Sequence, residues 1–150
     1  MWSYRKLFAT AALVAVVLGC TRSQQGPERL KTVPVKGTVT VKGMPAIELT
    51  VKFRSLATPQ GEAAIYAANP TALTDADGTF VVSTYEHGDG LAAGEYVITF
   101  EWLKFDRLSN SYGGPDRLGG KYADPKTSEF KLTVTGDEEA IALEPFHLTM

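Results

Sequence analysis

Hydrophobic and polar residues alternate with a period of two over several short stretches of this chain, the pattern of half-buried β-strands. The clearest pair lies within 74–102. Phe80 and Val82 alternate with polar neighbours after the turn sequence Asp75-Ala76-Asp77-Gly78, and Tyr96, Ile98, Phe100 and Trp102 share one face of a strand that opens on Ala93-Gly94. Upstream, Val35, Gly37, Val39 and Val41 alternate with Lys36, Thr38, Thr40 and Lys42. Lys42-Gly43 then predicts a turn, Pro45 stands where no ladder N–H is wanted, and Ile47, Leu49, Val51 and Phe53 predict a second, antiparallel strand. The Ala-rich piece over 62–68, between Gly61 and Pro70, fits a short strand or one helical turn, of which an edge strand over 63–67 is the expectation. Phe130, Leu132 and Val134 form a further strand, Gly136-Asp137 a turn, and Ile141 and Leu143 the last strand.

Short strands, turn signals about every ten residues and no long helical period predict an all-β fold, a single antiparallel β-sandwich of about seven strands with an immunoglobulin-like layout. Its predicted core is Val51, Phe53, Phe80, Tyr96, Ile98 and Phe100, closed from the other sheet by Val39 and Leu132. Residues 105–128 carry Gly113-Gly114-Pro115 and Gly119-Gly120, too glycine-rich for the interior of an element, and predict a long irregular insertion.

The N-terminus changes the picture most. Arg5 and Lys6 precede an apolar run over 7–18, followed by Gly19 and Cys20, the only cysteine. Twelve residues are too few for a bilayer span, which takes ~20, so the run reads as a secretory signal. Val17-Leu18-Gly19-Cys20 resembles the lipobox of bacterial lipoproteins, with Leu18 where a smaller residue is usual. The resemblance implies that Cys20 is lipidated with palmitate-type chains and becomes the first mature residue, held to a membrane of the cell envelope. Thr21 follows without an acidic retention signal, which points to an outer membrane or the periplasmic face of a membrane. The chain thus divides into a signal peptide at 1–19, a lipidated flexible tether at 20–32 and a β-sandwich at 33–150. Without the leader, 13 basic side chains face 17 acidic ones, a balance of −4 that speaks against nucleic acid as a partner.

Gly37-Thr38-Val39-Thr40, Gly43-Met44-Pro45, Val51-Lys52-Phe53, Thr74-Asp75-Ala76-Asp77-Gly78-Thr79-Phe80 and Gly94-Glu95-Tyr96 occur in the order and spacing of a carboxypeptidase regulatory-like domain, which they resemble over 33–103. That resemblance implies a transthyretin-like (prealbumin-like) sandwich. Lys121-Tyr122-Ala123-Asp124-Pro125 before a closing strand is similar to small secreted lipoproteins of planctomycete-type bacteria, a family without a generally established activity.

Candidate chemistry is sparse. Asp75 and Asp77, with Glu86 and Asp89 from the 84–94 loop, form an alternative calcium set, because alternate carboxylates at a glycine turn can surround a hard cation. The twelve-residue calcium pattern fails, however, and the strand after Gly78 carries Glu86 about 20 Å away at ~3.3 Å per residue, so a plain Asp-Gly turn and no metal are expected. His87 and His147 lie far apart in sequence, with no zinc spacing. No Gly-x-Ser-x-Gly is present, and the Tyr-Arg-Gly-Ser ending of transthyretin-related hydrolases is absent. Asn69 and Asn110 both stand in turn-like contexts, unsuited to a Lys–Asn cross-link. Trp102, Tyr112 and Tyr122 flank or occupy the long loop; exposed rings of this kind bind sugars, whereas buried ones plug the end of a sandwich. The sequence therefore predicts a non-catalytic envelope module without cofactor, with a protein or glycan partner. A carbohydrate- or calcium-dependent binder using loops 84–94 and 105–128 is the alternative, and a hydrolase the least supported reading.

Overall fold

The alternation at the start of the domain becomes two strands, β1 (Thr32–Val33) and β2 (Val35–Val41), parted by Pro34, which has no N–H to give a ladder. The computed structural model describes residues 28–150, so the leader, Cys20 and most of the expected tether lie outside the described residues. The last part of that tether is joined to the domain: Lys31 Nζ donates to Gly136 O at 2.7 Å, Leu30 N donates to the Tyr85 hydroxyl at 3.2 Å, and Thr32 pairs with Ala92.

Lys42 and Gly43, at φ 51° and 78°, turn the chain into β3 (Met44–Pro45), antiparallel to β2. The single strand expected through Ile47 and Phe53 does not form. Glu48 takes φ 56°, Ile47 turns outward to half exposure, and β4 (Thr50–Ser55) belongs to the opposite layer. A strand cannot lie in two layers, and the crossing is clasped by buried Thr74. Its hydroxyl donates to Ala46 O at 2.5 Å and accepts from Leu49 N at 2.8 Å, so the polar group is satisfied inside the core. Where an edge strand was expected over 63–67 there is a short helix, α1 (Glu62–Tyr66), which suits its alanines. The edge of β4 is covered instead by the next residues, Ser55 N donating to Ala68 O at 2.8 Å and Phe53 N to Pro70 O at 2.9 Å.

The remaining strands are β5 (Thr71–Leu73), β6 (Thr79–Val81), β7 (Leu91–Ala92), β8 (Gly94–Glu101), β9 (Lys104–Asp106), β10 (Ser111–Gly113), β11 (Lys131–Val134), β12 (Ile141–Ala142) and β13 (Phe146–Leu148). They form an all-β sandwich. One layer runs β11-β8-β4-β5 and is antiparallel throughout. In the other, β2 is central, with β6 and β3 antiparallel along one edge and β12 and β13 parallel along the other. This parallel pairing departs from the purely antiparallel pattern expected. After β11 the chain crosses between layers and so enters the second one running with β2. The crossing turn is held by Glu138, whose carboxylate accepts from Thr135 N at 3.0 Å and Gly136 N at 2.8 Å.

Between the layers lie Val51, Phe53, Tyr96, Ile98 and Phe100 from one side and Val35, Val39, Val41, Phe80 and Leu148 from the other; Leu132, expected to close the other sheet with Val39, lies instead on β11 beside β8 and is half-buried at the margin. Phe80 sits opposite Gly37 in the ladder and fills the space a side chain would need there; a Cβ on Gly37 would come 2.6 Å from the Phe80 ring. Phe100 is met edge-on by Phe146 at 5.0 Å, Phe130 at 5.3 Å and Tyr122 at 6.3 Å between ring centroids.

Truncating Phe100 to Ala should cost ~3–5 kcal/mol through lost burial and the cavity left behind, read as a fall of several degrees in the melting midpoint. The hydrogen bond from Thr135 N, foremost among its contacts, lowers the Glu138 carboxyl from 4.5 to about 2. A depressed carboxyl contributes stability above its unfolded pKa and loses it as pH falls through the folded one. Glu138→Gln should therefore flatten the decline of the melting midpoint with pH between 4.5 and about 2.

Candidate functional site

The N-terminal segment enters at one end of the sandwich, beside Tyr85, Leu91 and Gly136. Strand β8 starts close to that end, at Gly94, and carries the chain roughly 25 Å to the other at ~3.3 Å per residue. Just beyond its end the 105–128 segment, expected to be irregular, begins with a hairpin. β9 and β10 pair with Phe105 opposite Tyr112, their rings 5.0 Å apart, around the loop Arg107, Leu108, Ser109 and Asn110. Asp106 Oδ1 accepts from Leu108 N at 2.8 Å, Asn110 takes φ 50°, and Leu108 at the tip is 99% exposed.

The chain after the hairpin is pinned by Asp116. Its Oδ1 accepts from Trp102 N at 2.8 Å and Leu118 N at 3.0 Å, and its Oδ2 from Gly120 N at 2.9 Å, while Arg117 N donates to Trp102 O at 2.9 Å. Between hairpin and pinned segment opens a groove of about 1020 Å³, lined by Lys104, Phe105, Arg107, Gly114, Pro115 and Arg117 among others. Lys104, Phe105, Arg107 and Arg117 also border a second hollow of about 280 Å³ towards Ile47 and Glu48.

The structure does not gather the three sequence-predicted aromatic residues onto one surface. Trp102 is half-buried against the core, its Nε1 donates to Ile47 O at 2.8 Å, and the Arg117 guanidinium lies 3.7 Å from its ring centroid. Tyr112 packs against Phe105 in the hairpin, its ring tilted by 57°. Tyr122 packs against Phe100 and Phe130 and holds Thr149 through its hydroxyl; burial raises its pKa, but the hydrogen bonds with Thr149 and the nearby Lys121 ammonium together outweigh burial, so the pKa is lowered.

The calcium alternative is taken apart in the same way. Both Asp75 oxygens serve the turn itself: Thr79 Oγ1 donates at 2.6 Å, Thr79 N at 2.9 Å and Asp77 N at 3.0 Å. The Thr79 hydroxyl in particular lowers the Asp75 pKa. Gly78 takes φ 75°, as a turn of this kind needs, and a Cβ there would come 2.5 Å from Val39 O. Asp89 accepts from Thr84 N, Tyr85 N and Glu86 N inside its own loop, and Glu86 pairs with Arg29. Asp77 and His87 are exposed, and His147 Nδ1 meets Thr40 Oγ1 at 2.8 Å on another strand. Among the described residues no three His, Cys, Asp or Glu side chains gather in a way that could hold a metal ion, and no helix is long and apolar enough to cross a membrane.

Lys104, Arg107, Asp116 and Arg117 carry no motif, and the sequence did not single them out. Arg117 reaches Trp102 across fifteen positions of chain, and nothing but the folded loop connects them.

No protein-family model matches the chain, and no curated protein matches it. Solved structures share parts of its shape. A candidate carbohydrate-binding protein from Pseudomonas aeruginosa is 13% identical with TM-score 0.40, over 83% of this chain and 92% of that one. An (S)-allantoin synthase is 16% identical with TM-score 0.39, over 80% of this chain and 41% of that one. A 9R-lipoxygenase from Cyanothece PCC8801 is 10% identical with TM-score 0.34, over 84% of this chain and 18% of that one. These likenesses are too slight to carry an argument about role.

Asp116→Ala would leave the N–H groups of Trp102, Leu118 and Gly120 without their partner. The expected loss is ~2 kcal/mol, with hydrogen exchange at these three amides rising more than at those of β4.

Proposed function

We propose that the protein is an exported, lipid-anchored β-sandwich of carboxypeptidase regulatory-like type that binds a partner at the cell envelope and has no catalytic role. The observation that carries this reading is the groove beside the β9–β10 hairpin, at the end of the sandwich remote from the entering N-terminal segment. An anchor at Cys20 followed by a polar tether would leave that groove facing away from the membrane that holds the protein. The basic start, short apolar run and lone cysteine of the leader support the anchor. The turn carboxylates support a binding role over a chemical one, because Asp75, Asp89 and Asp116 are occupied by backbone N–H groups.

Two acyl chains at ~0.8 kcal/mol per buried CH₂ hold a protein firmly on a leaflet, so Cys20→Ser should move it from the membrane to the soluble fraction. A Cys20→Ser protein that stays membrane-bound and unprocessed refutes the anchor. For the binding role, Arg107 to Asn110 are replaced by an Asn-Gly turn, which should abolish co-sedimentation with insoluble polymer isolated from the cell envelope at an unchanged melting midpoint. Retained co-sedimentation refutes the groove as the binding face.

A further inference from the structure

We infer, resting on the binding role proposed above, that the ligand of the groove is an acidic glycan, a chain of carboxylate-bearing sugars. Three cations, Lys104, Arg107 and Arg117, line the groove against one carboxylate, Asp106, which already accepts from Leu108 N, and the adjoining hollow adds only Glu48, which forms no ion pair with any of the three. Among the described residues the ion pairs are Arg29 with Glu86 and Lys52 with Glu101, so none of the three cations has an acidic partner. The chain as a whole carries a net charge of −2. A local excess of unpaired cations on an acidic protein focuses positive potential into a concavity and recruits anions, and guanidinium groups bind carboxylates in paired, charge-assisted hydrogen bonds.

The arrangement of Trp102 narrows the ligand further. A neutral sugar would stack on an open indole, but Trp102 is packed against the core and its ring carries the Arg117 guanidinium at 3.7 Å. The tryptophan is a positioning residue: it holds a cation towards the groove instead of offering its own surface. The apolar wall comes from Phe105, Gly113, Gly114 and Pro115, whose apolar atoms suit the apolar faces of sugar rings. At about 1020 Å³ the groove stands at the top of the range for small-molecule sites, roughly 300–1,000 Å³, and has room for several linked sugars. Its position remote from the anchored end favours a polymer over the headgroups of the anchoring leaflet.

The test uses the full chain in detergent micelles, titrated with polygalacturonate, dextran, polyaspartate and phosphatidylglycerol vesicles. Polygalacturonate should bind, dextran should not, and added salt should weaken the binding. Arg107→Gln and Arg117→Gln should each weaken it about ten-fold, the loss of one charge-assisted hydrogen bond, at an unchanged melting midpoint. If Arg117→Gln unfolds, Arg107→Gln decides, since Arg107 is exposed in the hairpin loop. Trp102→Leu should lose affinity that Trp102→Phe retains, and should cause no further loss in an Arg117→Gln background, a dependence on the cation that a merely structural ring would not produce. Equal binding of dextran, a preference for polyaspartate or for vesicles, or full binding by both arginine variants would each overturn the acidic-glycan inference. The binding role falls separately, if the Asn-Gly replacement leaves co-sedimentation with envelope polymer intact.

Discussion

Because Tyr96, Val97, Ile98, Thr99 and Phe100 are all buried, neither face of β8 is left to water, and its backbone N–H and C=O groups must find partners within the protein. Along one edge β4 supplies them from Tyr96 to Glu101. Along the other, β11 reaches only from Gly94 to Val97. The rest of that edge is served by irregular chain: Phe130 O accepts from Ile98 N at 2.9 Å, Ser128 Oγ donates to Ile98 O at 2.6 Å, and Tyr122 O accepts from Phe100 N at 3.0 Å. Asp116 then takes Trp102 N, one residue past the end of the strand. A segment that lacks regular structure is thus held in place because a buried strand needs what it offers.

The groove follows from this arrangement. Its far wall is the chain that Asp116 pins, its near wall is the hairpin that leaves β8, and Trp102 sits at the junction. The backbone of Trp102 is tied to Asp116 and Arg117, its indole N–H to Ile47 O, and its ring to the Arg117 guanidinium. The groove is therefore fixed to the core through main-chain bonds, while the side chains that face it make few bonds of their own. Such a division lets the hairpin residues change without disturbing the sandwich, the usual relation between a rigid scaffold and a recognition loop.

The opposite end is organised by close approach. Gly90 takes φ 87° and passes so near β1 that a Cβ would come 1.7 Å from Val33 O. That approach lets Val33 pair with Leu91, and together with the bonds of Lys31 and Leu30 it fixes where the N-terminal segment leaves the domain. The separation of the N-terminal segment and the groove is thus a property of strand direction.

Much of the fold was legible in the chain, for a local reason. Alternation in β2, β4, β6 and β8 reports which residues turn inward, and the core of Val51, Phe53, Phe80, Tyr96, Ile98 and Phe100 follows from that period alone. Turn chemistry is equally local, so Lys42-Gly43 and Asp75 to Gly78 could be read directly. Crossings between layers could not. Ile47 continues the alternation perfectly yet faces water, because the decision to change sheets at Glu48 depends on Thr74, a partner distant in sequence. The parallel pairing of β13 with β2 was hidden for the same reason: it depends on what another segment leaves uncovered. The candidate site was the least legible part. Trp102 stands out in the sequence as an aromatic residue, but nothing there shows that Arg117 lies on its ring, and only the path of a glycine-rich loop along a buried strand edge brings that cation there.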